Sequence, residues 1–215
     1  VRTYRSQVNA LINRLIQTTP LTLPITWESP WWTIMMGIEH EHIHLETSSV
    51  LIRQQNLDWV QPHVDWAPCQ ESGEAPINDT VEIPAGKVKI GKDYDDPYYG
   101  WDNEYGEHES DIKAFRASRY LVTNQAFLEF VKAGGYQDQS LWPEEGLEWL
   151  KYTKAECPSF WVEADEGFKL RLMTEVVDMP WDWPAEVNYH EAKAFCNWLV
   201  KETGEQVRLP TEDEW

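Results

Sequence analysis

Residues 29–55 read SPWWTIMMGIEHEHIHLETSSVLIRQQ, and this stretch predicts a long helix. Ser29 is a residue type suited to cap a helix, Pro30 suits the first helical position, and only Gly37 interrupts the run. Residues 1–18 predict an earlier helix, because apolar side chains recur there at three- and four-residue spacing. The chain therefore begins with an all-helical segment.

The sequence after residue 80 changes character. Residues 81–83 and 88–90 alternate with a period of two around Pro84 and Gly86, which predicts a short hairpin. A long acidic loop is expected at residues 91–110, followed by a strand within residues 112–122.

Further helices and loops are predicted downstream. Thr123 or Asn124 should cap a short helix that ends at the glycine pair of residues 134–135. Residues 137–182 are dotted with tryptophan and predict a loop-rich region. The stretch between the helical segment and the first strand, residues 59–79, is rich in proline and polar residues and is interpreted as a linker.

Two capping boxes mark the end of the sequence. Asn188 and Glu191 predict the start of a helix that Gly204 ends. Thr211 and Glu214 repeat the same spacing and predict another helix start. Because the first helix also starts without a capping signal, we expect the sequence to be an internal fragment of a longer protein.

Composition excludes several classes of function. The chain has 215 residues and a net charge of −19, from 18 lysines and arginines against 37 aspartates and glutamates, which disfavours nucleic acids and anionic membranes as partners. No apolar run is long enough to span a bilayer. Three separate cysteines, Cys69, Cys157 and Cys196, predict neither a disulfide framework nor a paired-cysteine metal site, so a cytoplasmic location is expected. Thirteen tryptophans predict a core built from large rings.

The chemistry-bearing feature is the run from His40 to Glu46. His40 and His44 are four residues apart, so a helix places both imidazoles on one face, where they can hold a single metal ion. His42 points elsewhere, and Glu39 and Glu46 are candidate acceptors that orient the ligands. Three of the six histidines fall within five positions, which favours metal binding over an ordinary surface face.

The identity of the metal stays open on spacing alone. His40, Glu41 and His44 also match the zinc hydrolase pattern, in which the glutamate is the general base. A histidine site for non-haem iron, with open positions for oxygen and substrate, is the other interpretation. The remaining histidines, His63, His108 and His190, are expected at the surface.

A resemblance extends along nearly the whole chain. Residues 36–53, MGIEHEHIHLETSSVLIR, closely resemble the iron-binding helix of ovothiol-pathway sulfoxide synthases. The second half resembles the formylglycine-generating-enzyme-like module that follows in those proteins. The matching pieces, in family order, are residues 83–86 (IPAG), 101–104 (WDNE), 122–124 (VTN), 134–136 (GGY), 180–184 (PWDWP) and 208–215 (RLPTEDEW).

The resemblance implies an α+β protein with two domains. Residues 1–58 would be the C-terminal part of a DinB-like helical, iron-binding domain. After the linker at residues 59–79, residues 80–215 would be the N-terminal part of a C-type-lectin-like, formylglycine-generating-enzyme-like module. Such proteins use Fe(II) and dioxygen to join cysteine to the imidazole ring of histidine, giving 5-histidylcysteine sulfoxide. The small-molecule partners expected are therefore cysteine, histidine and O₂.

The resemblance also assigns roles to residues. His40 and His44 match two of three iron ligands, and the third is a histidine on an earlier helix that this sequence does not include. The active-site tyrosine of the family is expected beyond Trp215, as is a methyltransferase domain. The sister ergothioneine branch acts on trimethylhistidine and commonly has glutamine immediately before the second motif histidine. Ile43 stands there instead, which favours the ovothiol branch.

Three alternatives to this function remain. The first is an ergothioneine-branch sulfoxide synthase. The second is a zinc hydrolase in which Glu41 is the base, although that function leaves the motifs of the second half unexplained. The third is a non-catalytic binding module whose histidines no longer serve a reaction.

Overall fold

The computed structural model describes residues 1–65 and 67–215, and it shows an α+β protein. The helices are α1 (Arg2–Thr18), α2 (Pro30–Arg53), α3 (Asn124–Lys132), α4 (Glu144–Thr153) and α5 (Tyr189–Thr203). The strands are β1 (Thr80–Ile83), β2 (Gly86–Ile90), β3 (His108–Ile112), β4 (Phe115–Ser118), β5 (Trp161–Ala164), β6 (Gly167–Arg171) and β7 (Val176–Asp178). Short 3₁₀ turns occur at Leu57–Trp59, Asp102–Glu104 and Gln139–Leu141.

The chain forms two compact units. The first contains residues 1–50 and 87–111, and the second contains residues 51–86 and 112–215. The predicted linker at residues 59–79 includes Trp66, which lies outside the described residues. Its other residues contain the end of one 3₁₀ turn and no strand.

The first unit contains α1 and most of α2, the two long helices that the sequence predicts, while residues 51–53 of α2 belong to the second unit. Neither α1 nor α2 has a buried residue. The backbone N–H of Trp31 donates to Ser29 Oγ (3.3 Å), and its indole N–H donates to the carbonyl oxygen of Pro20 (3.0 Å). The beginning of α2 is therefore fixed by local contacts. No described helix has the length and apolar character that a bilayer crossing requires.

Aromatic rings supply the packing in this unit. Trp27 stacks on Trp32 with ring centroids 4.9 Å apart, and Trp32 lies 5.6 Å from Tyr99. Tyr105 approaches Trp27 at 5.6 Å and stacks on Tyr94 at 5.4 Å. Part of the acidic segment is thereby packed against the beginning of α2, although the sequence predicts only a loop there.

The predicted hairpin is wrong in its pairing. β1 and β2 form where the sequence places them, but β1 pairs antiparallel with β4, and β2 pairs with β3. The alternation that predicts a strand does not identify the strand that completes it. Pro84, the first of the two residues between the strands, also has a fixed negative φ, whereas the favoured two-residue hairpin turns need a positive φ at that position.

The second unit holds the hydrophobic core. Phe127 and Phe130 of α3 are almost fully buried and pack against Phe195 of α5, at ring centroid distances of 5.3 and 6.0 Å. Thr123 caps α3 by accepting from the N–H of Ala126 (3.3 Å), as the sequence predicts. Trp142 and Trp161 are also buried, so the expected aromatic core is present here.

The loop-rich prediction for residues 137–182 is wrong. This region contains α4 and a three-stranded antiparallel sheet with the order β5-β6-β7. Its strands are only three to five residues long. Strands this short give little periodicity, and the tertiary packing of Trp161 and Leu170 stabilises them.

Candidate metal centre

The imidazoles of His40 and His44 lie one helical turn apart in the middle of α2. Their ring centroids are 4.5 Å apart and their planes meet at 65°. Both side chains are exposed, so an ion from solvent reaches them freely. The structure thus places the two predicted ligands side by side on one face, where both rings can contact one small cation.

Neighbouring carboxylates surround the pair along the same helix. Glu39 Oε2 lies 3.9 Å from His42 Nδ1, so this carboxylate faces the histidine that is not a predicted ligand. Glu41 and Glu46 are exposed. Three acidic and no basic side chains in residues 39–46 create a negative potential, which favours a divalent cation over an anion.

Tyr99 lies beside α2, at a position that the sequence does not predict. Burial raises the pKa of its hydroxyl, and the carboxylates of Glu39, Glu104 and Asp102 raise the pKa further. Its phenol therefore stays neutral and able to donate a hydrogen bond. Nothing in the spacing of residues 98–101 indicates this position, because Tyr99 reaches α2 through tertiary packing against Trp32.

The donor set fits part of a metal site. Two imidazoles from adjacent turns are a common pair of ligands for zinc or non-haem iron. Among residues 1–65 and 67–215, however, no group of three histidine, cysteine, aspartate or glutamate side chains is arranged to hold a metal. His40 and His44 are therefore two candidate ligands of an incomplete set.

The remaining histidines lie elsewhere. His63 is exposed, with Nδ1 3.8 Å from Asp65 Oδ2. His190 differs from the surface prediction, because it is half-buried beside Trp149 with ring centroids 6.4 Å apart. Cys196 is buried in the core.

Fold and sequence comparisons together define the class of protein. The second unit is a mixed helix-and-sheet module in which short antiparallel strands surround an aromatic core. Residues 67–215 match the sulfatase-modifying factor enzyme 1-like domain, a module of the C-type-lectin-like fold. The chain belongs to this family.

The relatives include two hercynine oxygenases and an ergothioneine biosynthesis protein. The chain is 33% identical over 182 residues to a hercynine oxygenase of Mycolicibacterium thermoresistibile, covering 84% of this chain and 38% of the relative. It is 30% identical over 190 residues to a hercynine oxygenase of Mycolicibacterium smegmatis, covering 87% of this chain and 42% of the relative. It is 29% identical over 111 residues to ergothioneine biosynthesis protein 1 of Neurospora crassa, covering 46% of this chain and 12% of the relative.

These relatives are much longer than this chain. The chain spans about two fifths of the length of the two hercynine oxygenases. Their alignments cover more of the chain than the 149 residues of the matched domain, since they extend over 182 and 190 residues. The similarity therefore extends beyond the matched domain toward the helical segment.

Proposed function

We propose that the whole protein is a non-haem iron oxygenase that joins the sulfur of a cysteine-type thiol to the imidazole ring of a histidine-type acceptor. One dioxygen is consumed: the product sulfoxide takes one oxygen atom, and the other leaves as water with the thiol and ring hydrogens. The observation that carries this proposal is the side-by-side arrangement of His40 and His44 in a chain whose relatives are named hercynine oxygenases.

The two imidazoles are the part of this chain that would hold the metal. Neutral imidazole nitrogens are ligands that suit iron, and a pair from one helix leaves the rest of the coordination sphere to other ligands and substrates. Ferrous iron, when bound, supplies the one-electron chemistry that lets dioxygen react with a thiol and an aromatic carbon. The surrounding negative potential from Glu39, Glu41 and Glu46 stabilises the cation.

We propose that the Tyr99 hydroxyl supplies a hydrogen-bond donor near α2. Its hydroxyl is buried and has no hydrogen-bond partner among the described residues. Because its pKa is raised, the group remains a donor at neutral pH. Its ring packs on Trp32, two turns before His40 on α2, so its position depends on the same helix as the histidines.

The acceptor distinguishes the two branches of this chemistry. Ile43, immediately before His44, supports histidine and therefore the ovothiol branch, since the ergothioneine branch commonly has glutamine there. The names of the relatives support trimethylhistidine, which is hercynine, as the second candidate. An equimolar competition of the two acceptors, with cysteine and O₂ and the full-length protein, tests the choice by mass spectrometry of the product sulfoxides. We expect the histidine product to dominate; dominance of the trimethylhistidine product would assign the ergothioneine branch.

The zinc hydrolase interpretation predicts a different effect of replacing Glu41. If Glu41 were a general base, Glu41→Gln would abolish turnover, as it does for a base on which the reaction depends. In an iron oxygenase with His40 and His44 as ligands, Glu41 is neither a ligand nor an orienting acceptor. We therefore expect the same variant to retain C–S bond formation within about tenfold, no more than the smallest loss typical of an orienting residue. A Glu28→Gln variant, which removes one charge from an exposed glutamate before α2 and outside residues 39–46, is the matched control.

A further inference from the structure

A cavity lies in the second unit, at the end of α4. Its volume is about 400 Å³, within the range that small-molecule sites occupy. Its lining includes Trp149, Thr153, Glu156, Cys157, Ser159 and Trp161. None of these residues belongs to the histidine helix, and the proposed oxygenase function assigns them no role.

The walls of this cavity are held by the core and by the end of α4. Trp161 is buried and packs edge-on against Phe127, with ring centroids 6.3 Å apart. Trp149 stacks on Trp142 at 6.0 Å. α4 ends at Lys154, which has left-handed backbone geometry (φ 54°). Several of the lining residues follow this C-cap directly.

The electrostatic character of the cavity is negative. Burial raises the pKa of the Cys157 thiol to about 11, and the carboxylates of Glu163, Glu191 and Glu156 raise the pKa in the same direction. The thiol is therefore neutral near pH 7. Within the part of the chain that the structure describes, no lysine, arginine or histidine lines the cavity.

We propose that this cavity binds a small organic cation with a flat apolar body, of the class of an aromatic amine. Indole rings attract cations and pack against flat rings, and two tryptophan side chains are among the residues that line the space. The Glu156 carboxylate and the Ser159 hydroxyl are polar acceptors at the same cavity. The ligand class follows from these three features together: aromatic walls, a carboxylate and no basic side chain.

The Cys157 thiol lines the cavity, so its rates of reaction with charged reagents measure the charge preference of the cavity. We suggest treating the full-length protein with two methanethiosulfonates of similar size, one bearing trimethylammonium and one bearing sulfonate, and quantifying each cysteine by peptide mass spectrometry. The ratio of cationic to anionic rate at one thiol does not depend on its thiolate fraction. Cys69 is exposed and reports the general field of an acidic protein, so it is the internal control.

The rate ratio is expected to be about fivefold or more higher at Cys157 than at Cys69, because carboxylates close to the cavity act on the reagent. Glu156→Gln should lower the ratio at Cys157 and leave that at Cys69 unchanged. Equal ratios at the two cysteines, or a ratio at Cys157 that Glu156→Gln does not change, would overturn the proposed charge preference.

Ligand binding is tested by protection. Tryptamine should slow the reaction of Cys157 with uncharged methyl methanethiosulfonate, while the anion indole-3-propionate at the same concentration should not. Protection by both compounds or by neither would contradict the cation site. The experiment needs neither iron nor turnover, so its result is independent of the oxygenase proposal.

Discussion

Glu191 is a carboxylate buried in the second unit, with 1% of the residue exposed. Its Oε1 accepts a hydrogen bond from the Tyr136 hydroxyl at 2.5 Å, and its Oε2 accepts from the N–H of Asn188 at 2.8 Å. Burial raises the pKa of Glu191, and these hydrogen bonds oppose the rise. Burial and the adjacent carboxylate also raise the pKa of Tyr136. A buried carboxylate with two donors thus fixes the beginning of α5.

Tyr136→Phe should lower the free energy of unfolding by about 1–3 kcal/mol at neutral pH, since it removes a donor from a buried carboxylate. A folded-state pKa above the unfolded value makes Glu191 contribute stability at low pH that is lost as pH rises through the folded pKa. Without the tyrosine that pKa rises further, so the deficit of the variant should grow with pH. Urea unfolding at about pH 4 and pH 7 measures this. An equal deficit at both pH values would contradict it, and Tyr152→Phe, at an exposed position, is the control.

Sequence spacing predicts some residue-level features and misses others. The capping box of Asn188 and Glu191 is predicted and present, and its partner Tyr136 is not predicted. A capping box is a local pattern, whereas the tyrosine is 55 positions from the glutamate and meets it only in the folded chain. The same limit explains why Tyr99, beside α2, has no signal in the sequence.

At the scale of elements, helices with marked ends were predictable. α2, α3 and α5 begin and end within two residues of their predicted bounds, because caps and glycines mark them. The strands were less predictable, as the pairing of β1 with β4 and the whole β5-β6-β7 sheet show. Pairing depends on which strand edges the packed core brings together, and short runs do not encode that.

Replacing Gly204 or Gly37 by alanine should change the free energy of unfolding in opposite directions. Gly204 ends α5 in the left-handed region (φ 73°), where a Cβ is strained, so Gly204→Ala should destabilise by about 1 kcal/mol. Gly37 lies inside α2 with open space where the methyl group of an alanine would lie, so Gly37→Ala should stabilise the helix by about 0.5–1 kcal/mol. Thermal unfolding followed by circular dichroism measures both changes, and changes of the same sign in both variants would refute the conformational assignment.

At the scale of the whole molecule, one long-range contact closes the second unit. The Arg53 guanidinium lies 3.6 Å from the centroid of the Phe160 ring, its Nε–H donates to the carbonyl oxygen of Arg171 (2.6 Å), and it pairs with Glu186. Arg171 in turn donates to the carbonyl oxygen of Gln55 (3.1 Å). The last turn of α2 is thereby tied to residues more than a hundred positions later, a contact that no local pattern predicts.

Arg53→Met should destabilise the second unit by about 1–3 kcal/mol, because it leaves the carbonyl oxygen of Arg171 without its charged donor. Arg116 also forms an ion pair, with Glu205 at 3.5 Å, but both side chains are exposed. Arg116→Met is the matched control and should change stability by about 0.5 kcal/mol or less. Chemical unfolding measures the two variants together, and equal effects would show that the Arg53 contacts do not stabilise the unit.

We propose that His40 and His44 together hold ferrous iron. Anaerobic titration of the full-length protein with Fe(II) tests it directly, comparing the unmodified protein with His40→Ala, His44→Ala and His42→Ala. Each of the first two variants should weaken iron binding by about a hundredfold or more, while His42→Ala, which removes a histidine from the other side of the same turn, should stay near the unmodified affinity. Unchanged affinity in His40→Ala and His44→Ala, or a loss as large in His42→Ala, would contradict it.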